Sequence, residues 1–326
     1  MQVAGMNKIE SYLEGKKNIA IAGHVSPDGD CIGSCMGLYI YLKDNYPGIN
    51  ADVYLSSVQP IYGFIKGIDE VFHYCEKGIG SKYDMLILLD ISSVNRIGTA
   101  GSLYDEVGEI LCLDHHKTNN DEYTYFYNDP DASSTAEVLY RHLDKTKISK
   151  ECAEAIYMGI AHDTGVFRYT CTSPETMRIA AELMEKGIDF SGIIDETYYQ
   201  KTFAQQKMQG YVLANSRVFL DGRFIVGVVT KKDRDMIGIR SNELDGIVSL
   251  LRDTTGVEVS MLLHELDTGE KKISMRSRKI VDVSEVCAAF GGGGHIRAAG
   301  GKSNDSFEEI IEKILPIVAD QLKENG

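Results

Sequence analysis

The 326-residue sequence predicts an α/β protein, a parallel-sheet metal-binding domain followed by a smaller α+β domain. Three observations carry that expectation. Short apolar runs alternate with helical patterns through the first half of the chain, and several of those runs stop abruptly at Asp or His. After residue 216 the pattern changes to paired β-rich runs joined by Gly-containing turns.

In chain order, "NIAIAG" (18–23), "ADVYLS" (51–56), "DMLILLD" (84–90) and "EILCLD" (109–114) read as core strands with helical patterns such as 32–43 between them. Strands buried on both faces give such continuous apolar runs, and alternation with helices argues for a parallel sheet. From residue 134 the pattern is helical, over 134–144 and 149–161. A further helix is opened by "SPET" at 173–176, where Ser173 is placed to cap, Pro174 suits the first helical position and Gly187 marks the end. Two β-rich runs meet at Asp221-Gly222 within 216–230, a strong hairpin signal. A helix near 242–252 and a second hairpin pattern over 257–277, turning near Thr268-Gly269, follow. The last units are a helix near 283–290, a glycine run and a carboxy-terminal helix from about 306. The expected organisation is a catalytic domain over 1–190, a helical linker over 191–215 and a second domain over 216–326.

Composition narrows the function. Hydrophobic content of 43% and charged content of 25% describe a soluble globular protein, and "MLILL" (85–89) is far too short to span a membrane. The amino terminus shows no basic and apolar leader pattern, and the seven cysteines include no CxxC pair. A cytoplasmic protein with reduced core thiols is expected. A net charge of −14 disfavours binding long duplex nucleic acid, whose affinity comes from neutralising many phosphates with Lys and Arg. A small phosphorylated ligand needs only a local positive site, which metal ions can supply.

The residues that end the strands carry the chemistry. The first strand stops at "GHVSPDGDCIGS", with His24, Asp28 and Asp30 within seven residues; the third ends at Asp90; the fourth ends in "LDHH", Asp114 to His116; and "GIAHDTGVFRY" places Asp163 in a loop after a helix. His24 alone reads as a structural histidine and Asp28-Gly29-Asp30 alone as a turn. Together, five carboxylates and three imidazoles would repel or stay unpaired without cations, since buried charge must be compensated. A carboxylate and imidazole set without cysteine suits manganese, with iron, cobalt or magnesium as alternatives, and argues against structural zinc. More ligands than one ion needs suggests two ions sharing a bridging carboxylate, an arrangement suited to phosphoester or phosphoanhydride hydrolysis.

In order and spacing, "HVSPDGDCIGS", the isolated Asp90, "LDHH" and "HDTGVFR" resemble the motifs of the DHH phosphoesterase superfamily, and "FGGGGHIRAAGG" (290–301) resembles the signature of its associated carboxy-terminal domain. The resemblance implies that His24, Asp28 and Asp90 hold one divalent ion, most simply Mn²⁺, and that Asp30, Asp90, His115 and Asp163 hold a second, with Asp90 bridging. It implies that His116 contacts the scissile phosphate and that Asp114 orients a ligand histidine, which makes His116, Asp90 and Asp114 the catalytic set. His162, beside Asp163, departs from the pattern and is expected either to support a ligand from behind or to be structural. The second domain would grip substrate across the cleft between the domains. The activity implied is hydrolysis of short single-stranded RNA oligonucleotides to mononucleotides and of pAp to AMP, with linear dinucleotides such as pApA as further substrates, and a homodimer remains open.

The glycine run alone would be a linker. Followed by His295, Arg297 and small residues, Gly292, Gly293 and Gly294 are expected to form an anion-binding nest. "MRSR" adds Arg276, Ser277 and Arg278, with alternation placing both arginines on one strand face to fork onto phosphate or stack on a base. Two other readings stand beside this one: a manganese-dependent inorganic pyrophosphatase, and a non-catalytic nucleotide sensor on the same fold. The glycine run with His295 suits a nucleotide better than pyrophosphate, and a sensor would more readily have lost Asp90 or part of "DHH".

Overall fold

The structure, a computed structural model, describes residues 8–119, 121–244 and 246–324. The chain divides into two compact units, Met1–Gln200 and Lys201–Gly326.

The first unit is built on five parallel strands, β1 (Asn18–Ala22), β2 (Asn50–Tyr54), β3 (Met85–Leu89), β4 (Ile110–Asp114) and β5 (Tyr125–Asn128), in the order β2-β1-β3-β4-β5. Alternate residues serve opposite faces. Ile19, Ile21, Ile87, Leu89, Leu111 and Leu113 join one core with the helices Gly29–Asn45 and Lys150–Asp163, while Ala20, Ala22, Leu86, Leu88 and Cys112 join another core on the far side. Burial on both faces is why these strands read as unbroken apolar runs. β5 was not anticipated: its residues are exposed or half-buried at the sheet edge, so no apolar run announced it.

The two principal helices approach closely because both carry glycine at the crossing. A Cβ at Gly33 would lie 2.5 Å from the Ala155 carbonyl oxygen and 2.8 Å from the Gly159 nitrogen. That approach matters for the site, since Asp30 and Asp163 stand on these two helices. Asp163, expected in a loop, is instead the last residue of its helix. The Ser173 cap and Pro174 start are present as a full capping box.

The second unit holds a six-stranded mixed sheet, β6 (Arg217–Phe219), β7 (Phe224–Val229), β8 (Val259–Glu265), β9 (Lys271–Ser277), β10 (Gly293–His295) and β11 (Ala298–Ser303), in the order β10-β11-β9-β8-β7-β6. Only the β7–β8 pairing is parallel, bridged by the helices Lys231–Ile237 and Ile247–Arg252. Both expected hairpins form, with Leu220, Asp221 and Gly222 at positive φ in the first turn and Gly269 at φ +88° in the second. The carboxy-terminal helix Phe307–Glu324 contributes Ile310, Ile314 and Val318 to the core on one sheet face. On the other, Met208 and Val212 of the helix Phe203–Ala214 pack with Ile225 and Leu262. Part of the stretch expected to be a linker thus belongs to the second unit's core.

Among the described residues, no helix is long and apolar enough to cross a membrane.

Candidate metal centre

In an open parallel sheet the site lies at the carboxyl ends of the strands, where the strand order reverses. Here the reversal falls between β1 and β3. His24 follows β1, Asp90 follows β3, and Asp114 ends the adjacent β4 with His115 and His116 directly after it.

Each side chain is held by the backbone around it. Asp28 caps the helix Gly29–Asn45, accepting from the Asp30 and Cys31 amides at 3.1 Å each. Asp30 is buried and accepts from the Thr135 and Ala136 amides at 2.7 and 2.9 Å, at the start of the helix Thr135–His142, where unpaired amides favour an anion. Asp90, buried at the end of β3, has φ +60°. That left-handed conformation costs a non-glycine residue roughly 1–3 kcal/mol and is tolerated best by Asp and Asn, so it marks a residue held in place for its side chain. The Thr135 hydroxyl donates to its Oδ1 at 3.1 Å. The His24 Nδ1 faces the Val25 carbonyl at 2.7 Å, which leaves Nε2 toward the carboxylates, 3.4 Å from Asp90 and 3.7 Å from Asp28.

His115 Nε2 lies 3.4 Å from Asp163, 3.7 Å from Asp90 and 4.0 Å from Asp30. His116 points its Nδ1 at Asp114 Oδ1, 2.9 Å away, with Asp90 at 3.6 Å. Asp114 therefore orients His116, the histidine expected to meet substrate, and not His115, the histidine expected to bind metal; consecutive residues at a strand end face opposite ways, and His116 points back toward Asp114. Asn119 Nδ2 donates to the other Asp114 oxygen at 2.9 Å and to the Ile91 carbonyl at 2.6 Å, tying the pair to the loop after β3.

The carboxylates and imidazoles of the site perturb one another strongly. Burial, then the neighbouring Asp90 and Asp163, push the Asp30 carboxyl well above its usual range, and burial with Asp90 and Asp28 does the same to Asp163. Burial alone would also raise Asp90, but the His24 contact and the three imidazoles outweigh it and hold the carboxyl at about 2. Burial depresses His24 and His116, yet the carboxylates beside each raise both imidazoles above the ordinary histidine value. Three overlapping sets of donor atoms each lie within 4.8 Å of one another: His24, Cys31 and Asp90; Asp90, His115 and His116; and Asp30, His115 and Asp163. Two divalent cations would balance the four carboxylates Asp28, Asp30, Asp90 and Asp163, relieving the repulsion that drives Asp30 and Asp163 upward. The donor set thus fits a metal pair.

Some participants were not legible in the sequence. Thr135 and Asn119 carry no motif signal beyond lying in polar stretches, and Cys31 was read as a core thiol. His162 serves a packing role, its Nε2 2.8 Å from the Thr197 hydroxyl and its ring against Tyr62 and Tyr198.

The expected substrate residues all lie in the second unit. Gly293, Gly294 and His295 form the exposed edge strand β10 instead of a nest-forming turn. Glycine is required there by close strand approach: a Cβ at Gly292 would lie 2.0 Å from the Gly300 carbonyl oxygen. Register places His295 opposite Ala298 and Ala298 opposite Arg276, so His295 and Arg276 share one face in one cross-strand row. Arg278 is outside that row. It follows the end of β9 and its guanidinium donates to the Arg252 carbonyl at 3.1 and 3.2 Å, capping the helix Ile247–Arg252. Ser277 is buried.

A parallel sheet with carboxylates and imidazoles gathered at its switch point defines a metal-dependent hydrolase of the phosphoesterase class. Residues 18–160 match the amino-terminal domain of the DHH family and residues 221–324 match the DHHA1 domain. The chain belongs to the DHH phosphoesterase family. It is 30% identical over 312 residues to the bifunctional oligoribonuclease and PAP phosphatase NrnA of Thermus thermophilus, covering 94% of this chain and 91% of that protein. To the protein of the same name from Bacillus subtilis it is 27% identical over 301 residues, 90% of this chain and 92% of the relative. Among solved structures, an exopolyphosphatase-related protein from Bacteroides fragilis superposes with a TM-score of 0.89 at 29% identity, covering 95% of this chain and 94% of that one.

Proposed function

We propose that this chain hydrolyses short RNA oligonucleotides to mononucleotides and converts pAp to AMP, with pApA-type dinucleotides as further substrates. The observation that carries this reading is the similarity to the oligoribonuclease and PAP phosphatase relatives along nine-tenths of both chains. One cation would be held by His24, Asp28 and Asp90, the other by Asp30, Asp90, His115 and Asp163, and Mn²⁺ suits the oxygen-rich second set. Bound there, divalent ions polarise a phosphoryl oxygen and acidify water. His116, oriented by Asp114, whose carboxylate helps raise the imidazole above its ordinary value, donates a ring N–H hydrogen bond to the scissile phosphate as charge builds on it. Asp90 fixes the spacing of the two halves of the site through its strained backbone. In the second unit, Arg276 and His295 hold the phosphate or base beyond the scissile group. The seven thiols, none of them in a disulfide, suit a reducing, cytoplasmic location.

The test is a manganese-supplemented hydrolysis panel with pyrophosphate, pAp, pApA, a five-nucleotide RNA and long DNA. Turnover of pAp, pApA and the short RNA is expected; rapid turnover of pyrophosphate alone overturns the reading.

A further inference from the structure

Resting on the metal-pair reading above, we infer that Cys31 supplies a sulfur donor to the His24 and Asp90 half of the centre, so that this half takes a thiophilic cation such as Zn²⁺ or Co²⁺ while the Asp30, His115 and Asp163 half takes a hard one. The Cys31 Sγ, a ring nitrogen of His24 and a carboxylate oxygen of Asp90 all lie within 4.8 Å of one another, and all three residues are buried. A shared ion bonded at ordinary sulfur, nitrogen and oxygen distances requires separations of this order.

The backbone is arranged to admit the sulfur. Cys31 lies in the first turn of the helix capped by Asp28, which turns its side chain back under the end of β1. The residue above it is Gly23, where a Cβ would lie only 2.1 Å from the Cys31 sulfur. Any side chain at position 23 would close this approach. Cys35, one turn further along the helix, is also buried beside Gly23 but is outside the donor set. The two halves therefore differ in kind. With Asp28, the first half offers an imidazole, a thiol and two carboxylates, a mixed set with one soft donor; with Asp90, the second offers three carboxylates and one imidazole, a hard one. Occupation of the first half replaces the Cys31 S–H bond by a sulfur–metal bond and releases the proton to solvent.

The experiment titrates the metal-free full-length protein with Co²⁺, reading the near-ultraviolet thiolate-to-cobalt charge-transfer band, and then with Zn²⁺ in competition with Mn²⁺. Wild type and Cys35→Ala should show the band and bind one Zn²⁺ in preference to Mn²⁺. Cys31→Ser and Cys31→Ala should lose the band and weaken Zn²⁺ binding by roughly 10–100-fold, the scale of a perturbed metal environment, while the second ion still binds. Two cobalt ions bound to wild type without a thiolate band overturn this inference and leave the metal pair standing, as does a band that survives Cys31→Ser. No divalent ion bound at all overturns both. The wild-type spectrum decides the matter even where a Cys31 variant fails to fold.

Discussion

Asp114 grips the His116 imidazole at Nδ1 with one oxygen, at 2.9 Å, while its other oxygen accepts from Asn119, also at 2.9 Å. A buried carboxylate fixed from both sides can orient the ring and favour its cationic form, and this contact sets His116 apart from His115.

Asp114→Asn should therefore act through His116. The amide keeps the shape but removes the charge that helps raise the imidazole above its ordinary value. Rate should fall by roughly 10²-fold or more, the scale of losing a positioned proton-bearing group. The sign of the pH effect follows: with cationic His116 the active form, lowering its pKa moves the alkaline limb of the kcat profile to lower pH. His115→Ala should instead release metal. Metal analysis and pH–rate profiles on both variants check this, and equal metal loss in the two rejects the division.

Asp90→Asn should reduce metal content and activity together, because this carboxylate lies within 3.4 to 3.7 Å of His24, His115 and His116. Asn tolerates the left-handed backbone at φ +60°, so the fold should survive. Without metal the variant should melt below wild type, since the ionised Asp90, held at about 2 by the imidazoles around it, stabilises the folded state and the amide loses that attraction. Melting curves with and without chelator test this; a variant that keeps two ions and normal turnover excludes a bridging role.

His264, buried on β8 with no hydrogen-bond partner for Nδ1, is held at about 4 by burial, Lys272 and Arg234. The unfolded chain takes up this proton below about 6.5 and the folded unit only near 4, so stability is full above 6.5 and falls as the pH drops toward 4. The loss amounts to about 3 kcal/mol at most. Urea unfolding of wild type and His264→Gln between pH 7 and 4 should show a shallower decline in the variant; parallel curves reject the assignment.

His295→Ala and Arg276→Ala should act selectively on substrates extending beyond the scissile group. A loss of roughly 10²-fold in kcat/KM for pAp and dinucleotides is expected, the effect of one or two charge-assisted contacts. Bound metal and hydrolysis of bis-p-nitrophenyl phosphate should stay near wild type. Arg278→Ala should also lower thermal stability, because it uncaps the Arg252 carbonyl. Equal losses on both substrate types would place His295 and Arg276 in the chemistry itself.

The sheet and the core of the site were legible because strands buried on both faces leave little freedom. Four apolar runs identified β1 to β4, and a charged residue ending such a run, Asp90 or Asp114 to His116, has to sit at its mouth. β5 left a weaker trace, since Tyr125 to Asn128 lie on a half-exposed edge where Phe126 and Tyr127 pack only partly against the two cores.

Sequence by itself determined which residue types the chain carries to the strand ends, and so the class of chemistry. Only the tertiary structure decided their partners. Asp114 meets His116 and not His115 because of where two successive side chains point at a strand end; Arg276, and not Arg278, shares a row with His295 because the register sets both opposite Ala298. Cys31 passes from core thiol to donor candidate because Gly23 leaves room beside His24. Periodicity records what one element must bury, but register, helix crossing and the absence of a single Cβ are set between elements distant in the chain, where local pattern carries no signal.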